Sequence, residues 1–135
     1  MNVNLNRAKE LLCGDAALVI VTGSGVLTYN ERGIKSLLSV QPELAGAAVA
    51  DKVVGKAAAM MMVRGGVAEV YAEIISEPAL KVFEAHGVPC SYGTLVPNII
   101  NRNKTGICPM EQAVLGVDDI AKAYEILVEK TGGAK

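Results

Sequence analysis

Short apolar runs alternate with amphipathic stretches along this chain, and glycines punctuate most of the joins. Leu5, Ala8, Leu11 and Leu12 recur at roughly helical spacing, so Asn6 to Cys13 reads as a helix that Gly14 ends. AALVIVT (16–22) and VLTYNE (26–31) are rich in Val, Ile and Leu and flank Gly23-Ser24-Gly25, a pattern that predicts a β-hairpin. Ile34, Leu37 and Leu38 give one turn of helix before Pro42 breaks it. In ADKVVGKAAAMMM (50–62) the pattern predicts a helix from about Lys52 to Val63, stopped by Arg64-Gly65-Gly66. VAEVYAEII (67–75) reads as a strand, Ser76 as the cap of a helix running to His86 before Gly87, and SYGTLV (91–96) as a further strand. A polar loop, NRNKTG (101–106), precedes the helix start CPMEQAVLG, and a last helix runs from Asp118 or Asp119 to Lys130.

These elements fit one α/β domain over residues 1–135, with a mixed sheet built from the N-terminal hairpin plus further strands and with helices on both faces. Composition sharpens that expectation. Hydrophobic residues make up 51% of the chain and aromatics only 4%, so the core is built from Ala, Val, Ile, Leu and Met. So large an apolar share suits a sheet covered on both sides or an apolar face buried between subunits, and a homodimer is expected. The formal charge is −1 and no basic stripe is interleaved with aromatics, which excludes a nucleic-acid polymer as partner. No apolar run reaches the length of a membrane span and no leader pattern opens the chain. Cys13, Cys90 and Cys108 are too few and odd in number for a disulfide framework; reduced thiols in a cytoplasmic protein are expected.

The order of hairpin, helix, strand, helix, strand and helices resembles the core of the cytidine-deaminase-like fold. Nearly the whole chain is similar to an uncharacterised family of small prokaryotic proteins, a domain-of-unknown-function family assigned that fold. The hairpin followed by RGIKSLL, then ADKVVGKAAAMM, VYAEIISEPA and NRNKTGICPMEQ, carry the resemblance. It implies a fold and no established activity. A zinc-dependent deaminase needs His or Cys followed closely by Glu at one helix start, and Pro-Cys-x-x-Cys at the next. The corresponding stretches here read Asp51-Lys52-Val53-Val54-Gly55-Lys56 and Ser76-Glu77-Pro78-Ala79, without a thiol or imidazole. Metal-dependent deamination of that kind is therefore excluded, and neither a metal nor another cofactor is expected.

The first of those stretches offers different chemistry. With Asp51 as N-cap, Lys52 and Lys56 share one face of the first helical turns, where the macrodipole disfavours each by about 0.3–1 kcal/mol. Two ammonium groups beside free N–H groups suit a phosphate or carboxylate, and Gly55 would let a ligand come close. Alternatively, Asp51 offsets the charge and the lysines extend along their stems to water. Further on, Cys108, Pro109 and Glu111 fit the N-cap, first and third positions of a helix. Helix N–H groups would favour a Cys108 thiolate nucleophile with Glu111 as proton carrier, although a capping pair beside a buried thiol explains the same residues.

Arg102 presents a fork suited to phosphate or carboxylate, while Glu73, Ser76 and Glu77 straddle a strand-to-helix junction where ligand contacts are expected. Three readings follow. In the first, a zinc-free, deaminase-like domain binds a small anionic or nucleotide-like ligand at the helix start 51–56. In the second, a cysteine-dependent enzyme uses Cys108 and Glu111. In the third, the chain is a non-catalytic, oligomeric regulatory module.

Overall fold

The computed structural model describes residues 3–12, 16–23, 25–30, 34–99 and 109–131. Its centre is a five-stranded mixed sheet in the order β2-β1-β3-β4-β5. Strands β1 (Leu18–Thr22) and β2 (Gly25–Tyr29) form the hairpin, registered from Leu18↔Tyr29 to Thr22↔Gly25. Thr22 Oγ1 closes the turn, accepting from Gly25 N at 3.1 Å. β1 also pairs antiparallel with β3 (Ala48–Val54), and β3 runs parallel to β4 (Glu69–Ser76), which runs parallel to β5 (Cys90–Val96).

The unbroken apolar run of β1 follows from its position inside the sheet. Leu18 and Ile20 enter the main core, whereas Val19 and Val21 enter a second cluster on the opposite face. Helix α1 (Val3–Leu11) covers that second face through Ala8, with Leu12 following it, and the Lys9 ammonium lies 4.5 Å from the centre of the Tyr71 ring. The remaining helices lie against the main core: α2 (Ile34–Ser39), α3 (Lys56–Gly65), α4 (Glu77–Ala85), α5 (Pro109–Val114) and α6 (Ile120–Lys130). Helices therefore lie on both faces of the sheet.

Helix α3 packs against β3, α2, α4, α5 and α6, and against the 3-10 turn Gln41–Leu44. That enclosure explains why its sequence is apolar on nearly every side: Ala57, Ala59, Met60, Met61 and Met62 are all buried. Gln41 Nε2 donates to Leu37 O at 2.9 Å and to Met61 O at 3.0 Å, while Arg64 Nη1 donates to Gln41 Oε1 at 2.9 Å. The Arg64 guanidinium also stacks 3.6 Å from the Tyr124 ring centre, so α6 is tied to the same corner. Gly66 closes α3 at φ 84°, a left-handed cap whose N–H bonds Met62 O and Val63 O.

Helix α4 starts and stops where its sequence pattern places it. Ser76 is the N-cap, its Oγ accepting from Ala79 N at 3.2 Å, and His86 is the C-cap. Asp119 caps α6, with Oδ1 accepting from Ala121 N at 2.9 Å and Lys122 N at 3.3 Å.

Helix α1 begins three residues earlier than its pattern suggests and β2 is shorter, but the largest departure lies before α3. Asp51 is not a helix cap and Lys52 is not helical, because both lie in β3. Asp51 sits in register with Leu18 on one side and Ala72 on the other. Pairing with strands on both sides holds this stretch extended, overriding the helix preference of Ala50 and Lys52. The helix starts only at Lys56, with Gly55 as its N-cap.

Candidate functional site

Two of the three parallel strands hand over directly to a helix at their C-terminal ends: β3 to α3 through Gly55, and β4 to α4 at Ser76. Ligands in open α/β sheets gather at such ends, where the chain turns from strand to helix. Here the two helix starts are satisfied very differently. Ser76 supplies α4 with its own side-chain cap, but Gly55 has no side chain to offer α3.

The acceptor for α3 comes from 55 residues further along. Glu111, on α5, sends its carboxyl group to the start of α3, where Oε1 accepts from Lys56 N at 2.5 Å and Oε2 from Ala57 N at 2.8 Å. An anion at a helix N-terminus is favourable, and this one is supplied from within the chain. The close approach depends on Gly55, whose backbone is extended, because a Cβ there would overlap the Glu111 carboxyl carbon and both its oxygens. Both carboxyl oxygens of Glu111 thus serve the start of another helix. Burial raises its pKa, against the opposing pull of the Ala57 and Lys56 N–H groups and of the Lys56 charge.

Lys56 completes a reciprocal exchange between the same two helices. Its side chain is largely buried, and Nζ donates to Leu115 O at 3.0 Å just beyond the end of α5. The ammonium group thus serves a carbonyl where the macrodipole of α5 favours positive charge, while a carboxyl group of α5 serves the N–H groups of α3. Lys56 Nζ also lies 3.5 Å from Asp118 Oδ1, on the turn between α5 and α6.

The exposed side of Lys56 opens onto a cleft of about 320 Å³ between α3 and α4. Its polar lining is Lys56, Lys81, His86 and Asp118, and its apolar lining is Met60, Pro78, Val82 and Ala85. Two ammonium groups and an imidazole thus face the Asp118 carboxylate across an apolar floor. Such a cleft can hold a small molecule by its apolar part while lysines neutralise its charge.

Of the residues singled out in the sequence for ligand binding, Lys56 lines this cleft, and Gly55 serves it indirectly by admitting Glu111. Asp51 and Lys52 lie in β3, where Asp51 is buried and its Oδ1 accepts from Val53 N at 3.4 Å. Glu73 is half-buried in β4, Ser76 is wholly buried as the α4 cap, and Glu77 is exposed in the first turn of α4, where its charge suits the dipole. Arg102 and Cys108 fall outside the described residues. The proposed catalytic partner Glu111 is committed to the α3 N–H groups. Cys90 is half-buried and its thiol pKa is pushed up to about 11 by burial, which leaves little thiolate at neutral pH.

Lys81, His86 and Asp118 were not singled out as ligand contacts by sequence reasoning. Lys81 and Ala85 follow Pro78 at successive helical turns, so a reading of α4 by face could have grouped them. No sequence spacing links His86 to Asp118. Among the described residues, no group of three or more His, Cys, Asp or Glu side chains is placed to hold a metal ion. No helix among them is long and apolar enough to cross a membrane.

Fold and site together define an α/β domain with a five-stranded mixed sheet, a helix start capped from within, and a cationic cleft beside it. Residues 6–131 match the model of a domain of unknown function, DUF1893, and the chain belongs to that family. Its structure is similar to the crystal structure of a DUF1893 family protein, TM1506, from Thermotoga maritima. The two share 30% sequence identity at a TM-score of 0.87, over 96% of this chain and 92% of the other. No curated protein matches the chain.

Proposed function

We propose that this domain binds a small anionic molecule with an apolar portion in the cleft between α3 and α4. The cytidine-deaminase-like assignment of the fold belongs to the same reading, with parallel strands β3 and β4 each delivering a helix start to one end of the sheet. The observation that carries it is the convergence of Lys56 and Lys81, beside His86, on one cleft in which Asp118 supplies the only opposing carboxylate among the described residues. Cations gathered around an apolar floor repel one another until an anion joins them. The N-terminus of α3 is taken by Glu111, so the ligand's charge falls to the ammonium groups of Lys56 and Lys81. The cleft's volume of about 320 Å³ lies at the lower end for small-molecule sites and favours a compact ligand, of nucleotide-like size at most.

Thermal unfolding with and without phenyl phosphate tests the proposal. At a hundredfold excess over Kd, a ligand bound only by the folded chain adds about 2.7 kcal/mol, a rise of several degrees in Tm for a domain of this size. Lys81→Ala, at an exposed position on α4, should abolish most of that rise while altering unliganded stability by less than about 0.5 kcal/mol. The proposal fails if phenyl phosphate, inorganic phosphate and a nucleotide panel all leave Tm unchanged.

A homodimer is a separate proposal, supported by the apolar composition and by the exposure of Ile74, Tyr92 and Leu95 on β4 and the edge strand β5. Light scattering should give twice the 14.1 kDa chain mass, and the mass of a single chain would exclude it.

A further inference from the structure

Lys56 presents its ammonium group to the cleft with one bond fixed, to Leu115 O at 3.0 Å, and one loose contact, to Asp118 Oδ1 at 3.5 Å. The two differ in how firmly their partners are held. Leu115 O is backbone just beyond a helix end, whereas the Asp118 side chain is 98% exposed. A carboxylate so fully solvated gains little from the pair and is readily drawn away. Asp118 is nonetheless part of the cleft lining, together with Lys56 and Lys81. Among the described residues that line this cleft, it is the only carboxylate.

From this we infer that the Asp118 carboxylate occupies the position of the ligand's anionic group on Lys56, and that it is displaced when ligand enters. The inference rests on the reading of the cleft as an anion site and adds a built-in competitor to it. Asp118 then acts as a selectivity device. A ligand must carry enough negative charge to outcompete an aspartate for Lys56, which favours a dianionic phosphate monoester over a monocarboxylate. The neighbouring residue, Asp119, caps α6 through its own side chain, so the charge of Asp118 can be changed without touching that cap.

Calorimetric titration of phenyl phosphate into the full chain, as wild type, Asp118→Asn and Asp118→Glu, tests this. Removing the competing charge should tighten binding about threefold to fivefold in Asp118→Asn, the upper part of the range for one nearby charge at a solvated site. Asp118→Glu keeps the competitor and should bind within about twofold of wild type on the same scale of surface charge effects. Equal or weaker binding by Asp118→Asn would overturn the inference while leaving the cleft as an anion site. Absence of binding by both wild type and Asp118→Asn would overturn the cleft reading as well.

Discussion

Glu111→Ala is expected to lower the unfolding free energy by about 3–4 kcal/mol, a large share of the total for a domain of this size. Three losses combine. The N–H groups of Lys56 and Ala57, both buried residues, lose their acceptors. The positive end of the α3 dipole loses the negative group nearest to it, and Lys56 loses a nearby opposing charge. Glu111→Gln keeps one acceptor oxygen and should lose less.

The same residue sets a pH dependence whose sign follows from its raised pKa. The folded chain holds the Glu111 proton more tightly than the unfolded chain does, because burial penalises the charged form more than the two N–H bonds and Lys56 favour it. The contribution from this proton is fully present below the ordinary glutamate range. It is lost as pH rises through the raised folded value. Chemical denaturation across that window should show wild-type stability falling relative to Glu111→Gln. A difference between the two that stays constant with pH would refute this account of Glu111, as would an alanine variant within about 1 kcal/mol of wild type, the range of an ordinary substitution.

Gly55→Ala is expected to destabilise by about 2–4 kcal/mol, although its backbone conformation is one that alanine adopts freely. The loss comes from space alone. The added methyl group falls on the Glu111 carboxyl, which must leave its two N–H donors or push α5 away from α3. Combining it with Glu111→Ala supplies the check. With the carboxyl gone the methyl group has room, so the double variant should be less destabilised than the sum of the two singles. Strict additivity, measured by denaturant unfolding, would show that the two residues do not act on one another.

This coupling explains how far the sequence could be read. Local signals placed α4 between Ser76 and Gly87, α6 from Asp118 or Asp119, and the hairpin around Gly23 to Gly25, because each rests on residues a few positions apart. The α3 start does not. DKVV resembles the first turn of a helix when viewed alone, and only its neighbours β1 and β4 make it a strand. Likewise CPMEQ contains a plausible cap for its own helix, yet Glu111 caps another one 55 residues away.

The helix start is capped by Gly55 and not, as the pattern suggested, by Asp51, and a glycine cap needs an acceptor from elsewhere. The lysines near that start pointed to an anion. The structure supplies one from inside the chain and leaves the ammonium group facing a cleft.

The most direct test of that arrangement is a crystal structure of the full chain with phenyl phosphate. The phosphate is expected beside Lys56 and Lys81, the ring on Met60 and Val82, Asp118 turned away, and Glu111 still bonded to the N–H groups of Lys56 and Ala57. Phosphate bound to those two N–H groups with Glu111 expelled, or a cleft empty at saturating ligand, would contradict it.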